Sequence, residues 1–405
     1  MKIGLIREWK KPADKRVALT PELCQAFKKT YPKVELVIES SPNRTFKDRE
    51  YEAVGIAVQK DVSDCDILFG IKEVPIKKLI EGKKYLFFSH TIKEQEYNRE
   101  LLQEVLKKKI TLIDYETLNW PNGGRILGFG KWAGIVGAYN AFLTWGKKME
   151  TFQLPPAHKT NNFEKSMELL KGVDIDGARI AFTGNGRVAN GIREVLELME
   201  IKEATPQEFI SRSVKGSCFV HLTNWDLFHR KDGGEWSDNH FYNNHQEYCC
   251  EFDNFLPHTD ILINGMYWEN DMPPLFTKAD TAKDNFKIKV IADITCDVEG
   301  SVPITMKDTD IYDPTFGWSK SEQKEVEPFG EDTIDVMAVT NLPTEMPKNA
   351  SNEFGGSLLE HIIPLLIKGD NDSILDKGTI TKNGKLNSHY TYLQDFANGV
   401  SEASE

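Results

Sequence analysis

Lys72, in Phe69-Gly70-Ile71-Lys72-Glu73-Val74-Pro75, and His90, in Phe87-Phe88-Ser89-His90-Thr91-Ile92-Lys93, each close a short apolar run. Runs 66–71 and 85–89 have the length and composition of buried strands, and in open α/β sheets ligands gather outside the carboxyl ends of strands. An amine and an imidazole at two such ends suit proton transfer, because burial and neighbouring charge tune both towards neutrality. Taken singly, a loop cation and a capped core histidine are the plainer readings. The case for chemistry rests on the residues around them.

A second constellation is Thr183-Gly184-Asn185-Gly186-Arg187-Val188-Ala189-Asn190-Gly191, which follows an apolar run at 179–182 and opens a helical pattern at 188–199. Gly184 suits a tight turn, Gly186 lets the backbone approach a pyrophosphate, and the helix N-terminus attracts its charge. The spacing, G-x-G-x-x-x-x-G, is longer than the commonest dinucleotide pattern. Gly184, Gly186, Arg187 and Val188 are therefore expected at a nicotinamide cofactor, NAD or NADP. An acid at the end of the next strand holds the ribose 2′-hydroxyl of NAD, and its absence admits the 2′-phosphate of NADP. In Glu200-Ile201-Lys202-Glu203-Ala204-Thr205-Pro206, Glu203 falls near the expected distance and Thr205 is the competing position, so the reading leans to NADP.

Arg16, in Asp14-Lys15-Arg16-Val17-Ala18-Leu19-Thr20-Pro21, and Arg125, after Gly123-Gly124, could each take a carboxylate through two parallel hydrogen bonds or stand as surface charges. With Lys72, His90 and Lys93 they would make a basic cleft in an acidic protein. The segment Ile291-Ala292-Asp293-Ile294-Thr295-Cys296-Asp297 adds two carboxylates, placed either near the nicotinamide or as caps of a following loop.

These residues need two βα frameworks to position them. The chain has 405 residues, more than one core usually supports, and strand-like and helix-like segments alternate from the start. Thr20-Pro21-Glu22 is a helix start: a side-chain oxygen at the N-cap, proline at the first turn and an acid against the positive helix end. Gly134, Gly137 and Ala138 share roughly one face of an apolar helix over 131–145, which reads as the joint between domains, where another backbone approaches closely. A second βα series begins at 179. From 206 to 258 the pattern dissolves into histidines, tryptophans and Cys249-Cys250, an insertion whose histidine spacings match no standard zinc site; no metal is expected. A C-terminal helix over 357–367 returns to the first domain. The expected fold is α/β, two Rossmann-like doubly wound domains with a cleft between them: 1–135 plus 340–405 for substrate and catalysis, 136–339 for the dinucleotide.

A formal net charge of −12, with lysines and arginines scattered, disfavours nucleic acid and anionic membranes as partners. No apolar stretch approaches bilayer length and the N-terminus runs straight into a strand, so a cytoplasmic location with reduced thiols is expected.

Longer motifs carry a resemblance. Lys15-Arg16-Val17-Ala18-Leu19-Thr20-Pro21 is similar to the opening motif of the alanine dehydrogenase and transhydrogenase superfamily. Phe87-Phe88-Ser89-His90-Thr91-Ile92-Lys93, Leu112-Ile113-Asp114-Tyr115-Glu116, Phe129-Gly130-Lys131-Trp132-Ala133-Gly134, Leu262-Ile263-Asn264-Gly265-Met266-Tyr267-Trp268 and Asn341-Leu342-Pro343 resemble the lysine-forming saccharopine dehydrogenases and the lysine-ketoglutarate reductase domain of aminoadipic semialdehyde synthases. The resemblance implies interconversion of saccharopine with L-lysine and 2-oxoglutarate through an imine and hydride transfer. It implies Lys72 as general base and His90 as general acid, and Arg16, Lys93, Glu116 and Phe129 around the substrate. Gln95, Arg125, Met266 and Asp297 fall on motif positions near the nicotinamide. It leaves open the direction of the reaction and whether the protein is a homo-oligomer. An alanine dehydrogenase-like enzyme and a nucleotide-sensing protein without turnover are the competing expectations.

Overall fold

A computed structural model describes residues 1–9, 14–160, 162–175 and 177–400, and its contacts divide the chain into two compact units, Met1–Phe129 with Pro347–Glu405, and Gly130–Met346. The expected boundary at 135/136 would cut the helix Gly130–Met149; the division falls ahead of it, and the whole helix packs in the second unit.

In the first unit β1 (Lys2–Leu5), β2 (Glu35–Glu39), β3 (Ala57–Gln59), β4 (Ile67–Phe69), β5 (Lys84–Phe87) and β6 (Thr111–Asp114) form a parallel sheet in the order 3-2-1-4-5-6. Strands such as β4 are buried throughout, as a sheet covered on both faces requires. The helix Pro21–Thr30 starts where its signals place it, with the Thr20 hydroxyl accepting from the Leu23 N–H at 3.3 Å.

The second unit carries β7 (Arg179–Thr183), β8 (Lys202–Glu203), β9 (Cys218–Leu222), the hairpin β10 (Phe228–Arg230) and β11 (Tyr248–Cys250), then β12 (Ile261–Asn264), β13 (Val290–Asp293), β14 (Thr315–Ser319), β15 (Lys324–Val326) and β16 (Thr333–Met337). Its main sheet runs β15-β14-β16-β13-β12-β7-β9-β8, antiparallel only at β14 and β15. This corrects the reading of 206–258 as a wholly separate insertion. Cys218–Leu222 is a strand of the main sheet beside β7, and the helix Pro206–Ser211 is its crossover. Its apolar run is short and interrupted by His221, so the surrounding polar sequence hid it. Only the hairpin and its flanking turns, packed through Trp236, Phe241 and Tyr248, stand apart.

The helix Gly130–Met149 crosses the helix Arg187–Leu198 at a glycine pair. A Cβ on Gly134 would lie 2.0 Å from the Val188 carbonyl oxygen, and one on Gly191 would lie 2.0 Å from that of Lys131. Backbone-to-backbone contact is thus the joint, inside the second unit.

The chain then returns to the first unit. There β17 (Thr379–Lys382) pairs antiparallel with β6, and β18 (Lys385–Leu386) pairs with β17. The helical stretch begins at Pro347, ten residues before the expected start, and passes through a π turn at Leu358–Ile362 ahead of Pro364. A proline in a helix lacks the donor for its backward bond and crowds the carbonyl four residues earlier, which accounts for the widened turn.

Candidate active site

The first unit gathers charge at the carboxyl ends of neighbouring strands. Lys72 follows β4 and His90 follows β5, which pair in register. Glu8, following β1, accepts from the backbone N–H groups of Ile71 and Lys72 at 2.7 and 2.9 Å, one with each oxygen. It thereby satisfies donors that the end of β4 leaves over. Burial, then the neighbouring Asp14 carboxylate, pushes the Glu8 carboxyl up to about 8.

His90 sits in the left-handed region at φ 55°. A non-glycine residue there is strained and must be held by its surroundings. The hold comes from both sides. The buried Asp114 carboxylate accepts from the Ser89 N–H at 2.9 Å and its hydroxyl at 2.5 Å, while His90 Nδ1 lies 2.5 Å from Glu73 Oε1. Glu73, which immediately follows Lys72, so ties the two strand ends together and leaves Nε2 as the imidazole's second working nitrogen.

Arg16 is 2% exposed, and Asp14 takes one edge of its guanidinium, Nε to Oδ1 at 3.0 Å and Nη2 to Oδ2 at 2.6 Å. Burial alone would raise the Asp14 carboxyl, but Arg16, with Lys72 adding to it, holds it below the usual range. The guanidinium lies 4.1 Å from the Phe129 ring centroid, and Phe129 stacks on Phe354 at 4.7 Å. Phe354, from the returning segment, also packs on Phe88 and Tyr115 and so floors the site. Glu116 Oε1 meets Arg125 Nη2 at 3.3 Å and Lys93 Nζ at 3.7 Å, while its buried Oε2 finds no hydrogen-bond partner among the described residues. Gln95 is exposed and accepts from the Tyr97 hydroxyl.

The second unit carries the glycine turn. Gly184 has φ 104°, and a Cβ there would lie 2.5 Å from the Gly265 carbonyl oxygen, so glycine is required where the loop before Met266 closes on the turn. A Cβ on Gly186 would meet nothing within 4 Å, and no side chain caps the helix that begins at Arg187. Open space before an uncapped helix N-terminus fits a dinucleotide phosphate. Arg187 is exposed, Val188 half-buried and Met266 buried beside the turn, whereas Asp297 lies exposed on the loop after β13. Asp293 serves the interior. Its carboxylate receives Asn264 Nδ2, Thr295 Oγ1 and Thr305 Oγ1, and Asn264 Oδ1 accepts from Thr183, tying the ends of β7, β12 and β13.

The two residues expected near the ribose, Glu203 and Thr205, are both engaged within the second unit. Thr205 caps the helix Pro206–Ser211, its hydroxyl engaged with Glu208. Glu203 pairs in register with Phe219 and so lies at the level of Ile180, three residues below Thr183. Arg193 binds its carboxylate bidentately at 2.7 and 2.8 Å. The strand beside β7 is β9, and the sequence reading missed its His221. That imidazole stacks on Phe182 at 4.4 Å, with Nδ1 2.9 Å from Arg193 Nη2 and Nε2 2.6 Å from the Gly184 carbonyl. Glu8, Glu73 and Phe354 were also missed. Glu73 adjoins Lys72 in sequence and was the one within reach of a closer reading.

Among the described residues, one trio has metal-ligand atoms within 4.8 Å of one another, His245, Glu269 and Asp271, and His245 Nδ1 there meets Asp271 Oδ1 at 3.0 Å.

Residues 4–136 match the family model described as alanine dehydrogenase/PNT, N-terminal domain. The chain is 30% identical over 441 residues to a rat mitochondrial alpha-aminoadipic semialdehyde synthase, covering 97% of this chain and 47% of that protein. It is 26% identical over 375 residues to a Schizosaccharomyces pombe saccharopine dehydrogenase (NAD+, L-lysine-forming), covering 89% and 92% respectively. It thus spans about half the length of the semialdehyde synthases it matches. A solved L-alanine dehydrogenase superimposes with a TM-score of 0.67 over 99% of this chain and 100% of that one, at 18% identity. This likeness extends the doubly wound fold to both units.

Proposed function

We propose that this chain, a homologue of the saccharopine dehydrogenases and aminoadipic semialdehyde synthases, interconverts saccharopine with L-lysine and 2-oxoglutarate by hydride transfer with a nicotinamide cofactor. The observation that carries the reading is the pairing of β4 and β5. It brings Lys72 and His90 to adjacent strand ends, with Glu73 bound to His90. The bound nicotinamide supplies or takes the hydride. Lys72 takes the proton from the substrate nitrogen, and His90 delivers one to the departing water, its ring oriented by Glu73. Arg16 and Lys93 hold substrate carboxylates, and Glu116 Oε2, without a partner among the described residues, accepts from a substrate ammonium.

Gly184, Gly186, Arg187 and Val188 hold the dinucleotide phosphates, Met266 lines the turn, and Gln95, Arg125 and Asp297 contact the nicotinamide side. NADP is the preferred form: Glu203, the acid nearest the expected ribose position, is bound by Arg193 and lies below the turn, which supports accommodation of a 2′-phosphate.

Initial rates with L-lysine plus 2-oxoglutarate, using NADH and NADPH in parallel and pyruvate plus ammonia as the control, test both proposals. Turnover with lysine, faster with NADPH, is expected. Turnover with pyruvate alone would overturn the saccharopine assignment in favour of an alanine dehydrogenase-like activity. Preference for NADH would overturn the cofactor assignment.

A further inference from the structure

The glycine turn occupies the carboxyl end of β7. At the opposite edge of that sheet, among the amino ends of β13 and β16, lies a cavity of about 640 Å³ bounded also by the end of the helix Gly130–Met149. Lys148, Lys283, Lys287, Lys289 and Lys320 line it, and Lys283 is paired with Asp280 at 2.5 Å. Lys148 is a fixed charge in the wall. Its side chain is 8% exposed, and its ammonium donates to the Gly330 and Thr333 carbonyls and the Thr333 hydroxyl while lying 3.5 Å from buried Asp335.

Lys287, Lys289 and Lys320 have no carboxylate within ion-pair distance among the described residues. Lys320 reaches the Phe286 carbonyl at 3.5 Å, Lys289 touches Met149 Sδ at 3.8 Å and faces the Trp145 ring, and Lys287 stands exposed. Of the acids of the wall, Asp332 offsets part of the charge on Lys320. Asp332 accepts from the Ser319 and Ser321 hydroxyls and the Ser321 N–H, and Asp284 and Glu331 are exposed. Burial, then the neighbouring Lys148, pushes the Lys320 ammonium below its ordinary value; Asp332 opposes this, and Lys287 and Lys289 add to it. Five lysines gathered around one cavity in a protein of formal net charge −12 repel one another, and a bound anion relieves that repulsion.

We propose that this cavity binds a small multivalent anion, phosphate- or carboxylate-bearing, through Lys287, Lys289 and Lys320 against the fixed charge of Lys148. The site is separate from the nucleotide turn. The helix Gly130–Met149 has 20 residues, about 30 Å at its ordinary rise; its first residue abuts Arg187 and its last lines the cavity. Binding to the two sites is therefore independent.

Calorimetric titration of the full chain with pyrophosphate, and separately with citrate, in the presence of saturating NADPH tests this and distinguishes a phosphate from a carboxylate ligand. Saturable binding of at least one probe is expected. The double variant Lys287→Gln/Lys320→Gln should weaken it by about tenfold or more, while Lys287→Arg/Lys320→Arg, which keeps the charge, should stay within about threefold of the parent. NADPH affinity should be unchanged in both variants, which also reports that they are folded. No binding of either probe, equal binding by the glutamine variant, or displacement by NADPH would each overturn the proposal.

Discussion

The chain builds nearly the same sheet twice and gives the two copies different strand ends. Each has six parallel strands and an antiparallel pair at one edge among the described residues. In the first unit the carboxyl ends carry Glu8, Lys72 and His90, with Asp14, Arg16 and Glu73 against them. In the second the corresponding ends carry a glycine turn and the neutral hydrogen bonds of Thr183 and Asn264 around buried Asp293. One sheet end gathers ionisable side chains. The other offers open backbone before a helix N-terminus. A doubly wound sheet exposes the ends of its parallel strands whatever the sequence, so the chemistry follows from the few residues placed there.

The comparison breaks most visibly at the first unit's ionisable pair. Lys72→Met/His90→Gln should lower kcat by about 10³-fold or more while leaving nicotinamide binding intact, measured by steady-state rates alongside cofactor fluorescence. Loss of cofactor binding with activity would show that the two units do not divide the work as described.

The second unit should instead be most sensitive at its glycines. Gly134→Ala forces a Cβ against the Val188 carbonyl and should destabilise by about 3 kcal/mol, read as a lowered melting temperature together with weaker nicotinamide binding. Full stability in that variant would mean that the helix crossing relaxes at little cost.

The third contrast concerns pH. The Glu8 carboxyl rises from an ordinary value of 4.5 to about 8, so between those values the folded chain holds a proton that the unfolded chain has released. Its contribution to stability is fully present below pH 4.5, declines as pH rises towards 8, and is level above that. Glu8→Gln should remove this slope, and denaturant melts of both proteins across the range would show the difference growing with pH. Parallel curves would place Glu8 in water. The smallest effect is expected where the returning segment is tied to the first unit: Ser351→Ala removes the acceptor of the buried Val17 N–H and should cost about 1 kcal/mol.

Much of this division was legible in order along the chain. Thr20 and Pro21 gave a helix start because a cap is decided within four residues. Lys72 and His90 could be placed after neighbouring strands because their apolar runs have strand length. The position of β9 was not legible, since strand order depends on which edges pair. The β8 strand that follows the glycine helix went to the outer edge, with β9 taking the place beside β7. The engagement of Glu203 by Arg193 was hidden for that reason, as was the meeting of Arg193 and His221, 28 residues apart, under the turn.

By itself the sequence determined the βα rhythm, the glycine turn and the ionisable residues at two strand ends, because these depend on dihedral preference, capping and side-chain type over a few neighbouring positions. Tertiary structure decided what each group works with. Glu8 caps a strand 63 residues on, Phe354 returns from the far end of the chain to floor the site, and five lysines from three segments meet around one cavity. Such meetings are fixed by which apolar faces bury one another, a property of the whole chain that no local window contains.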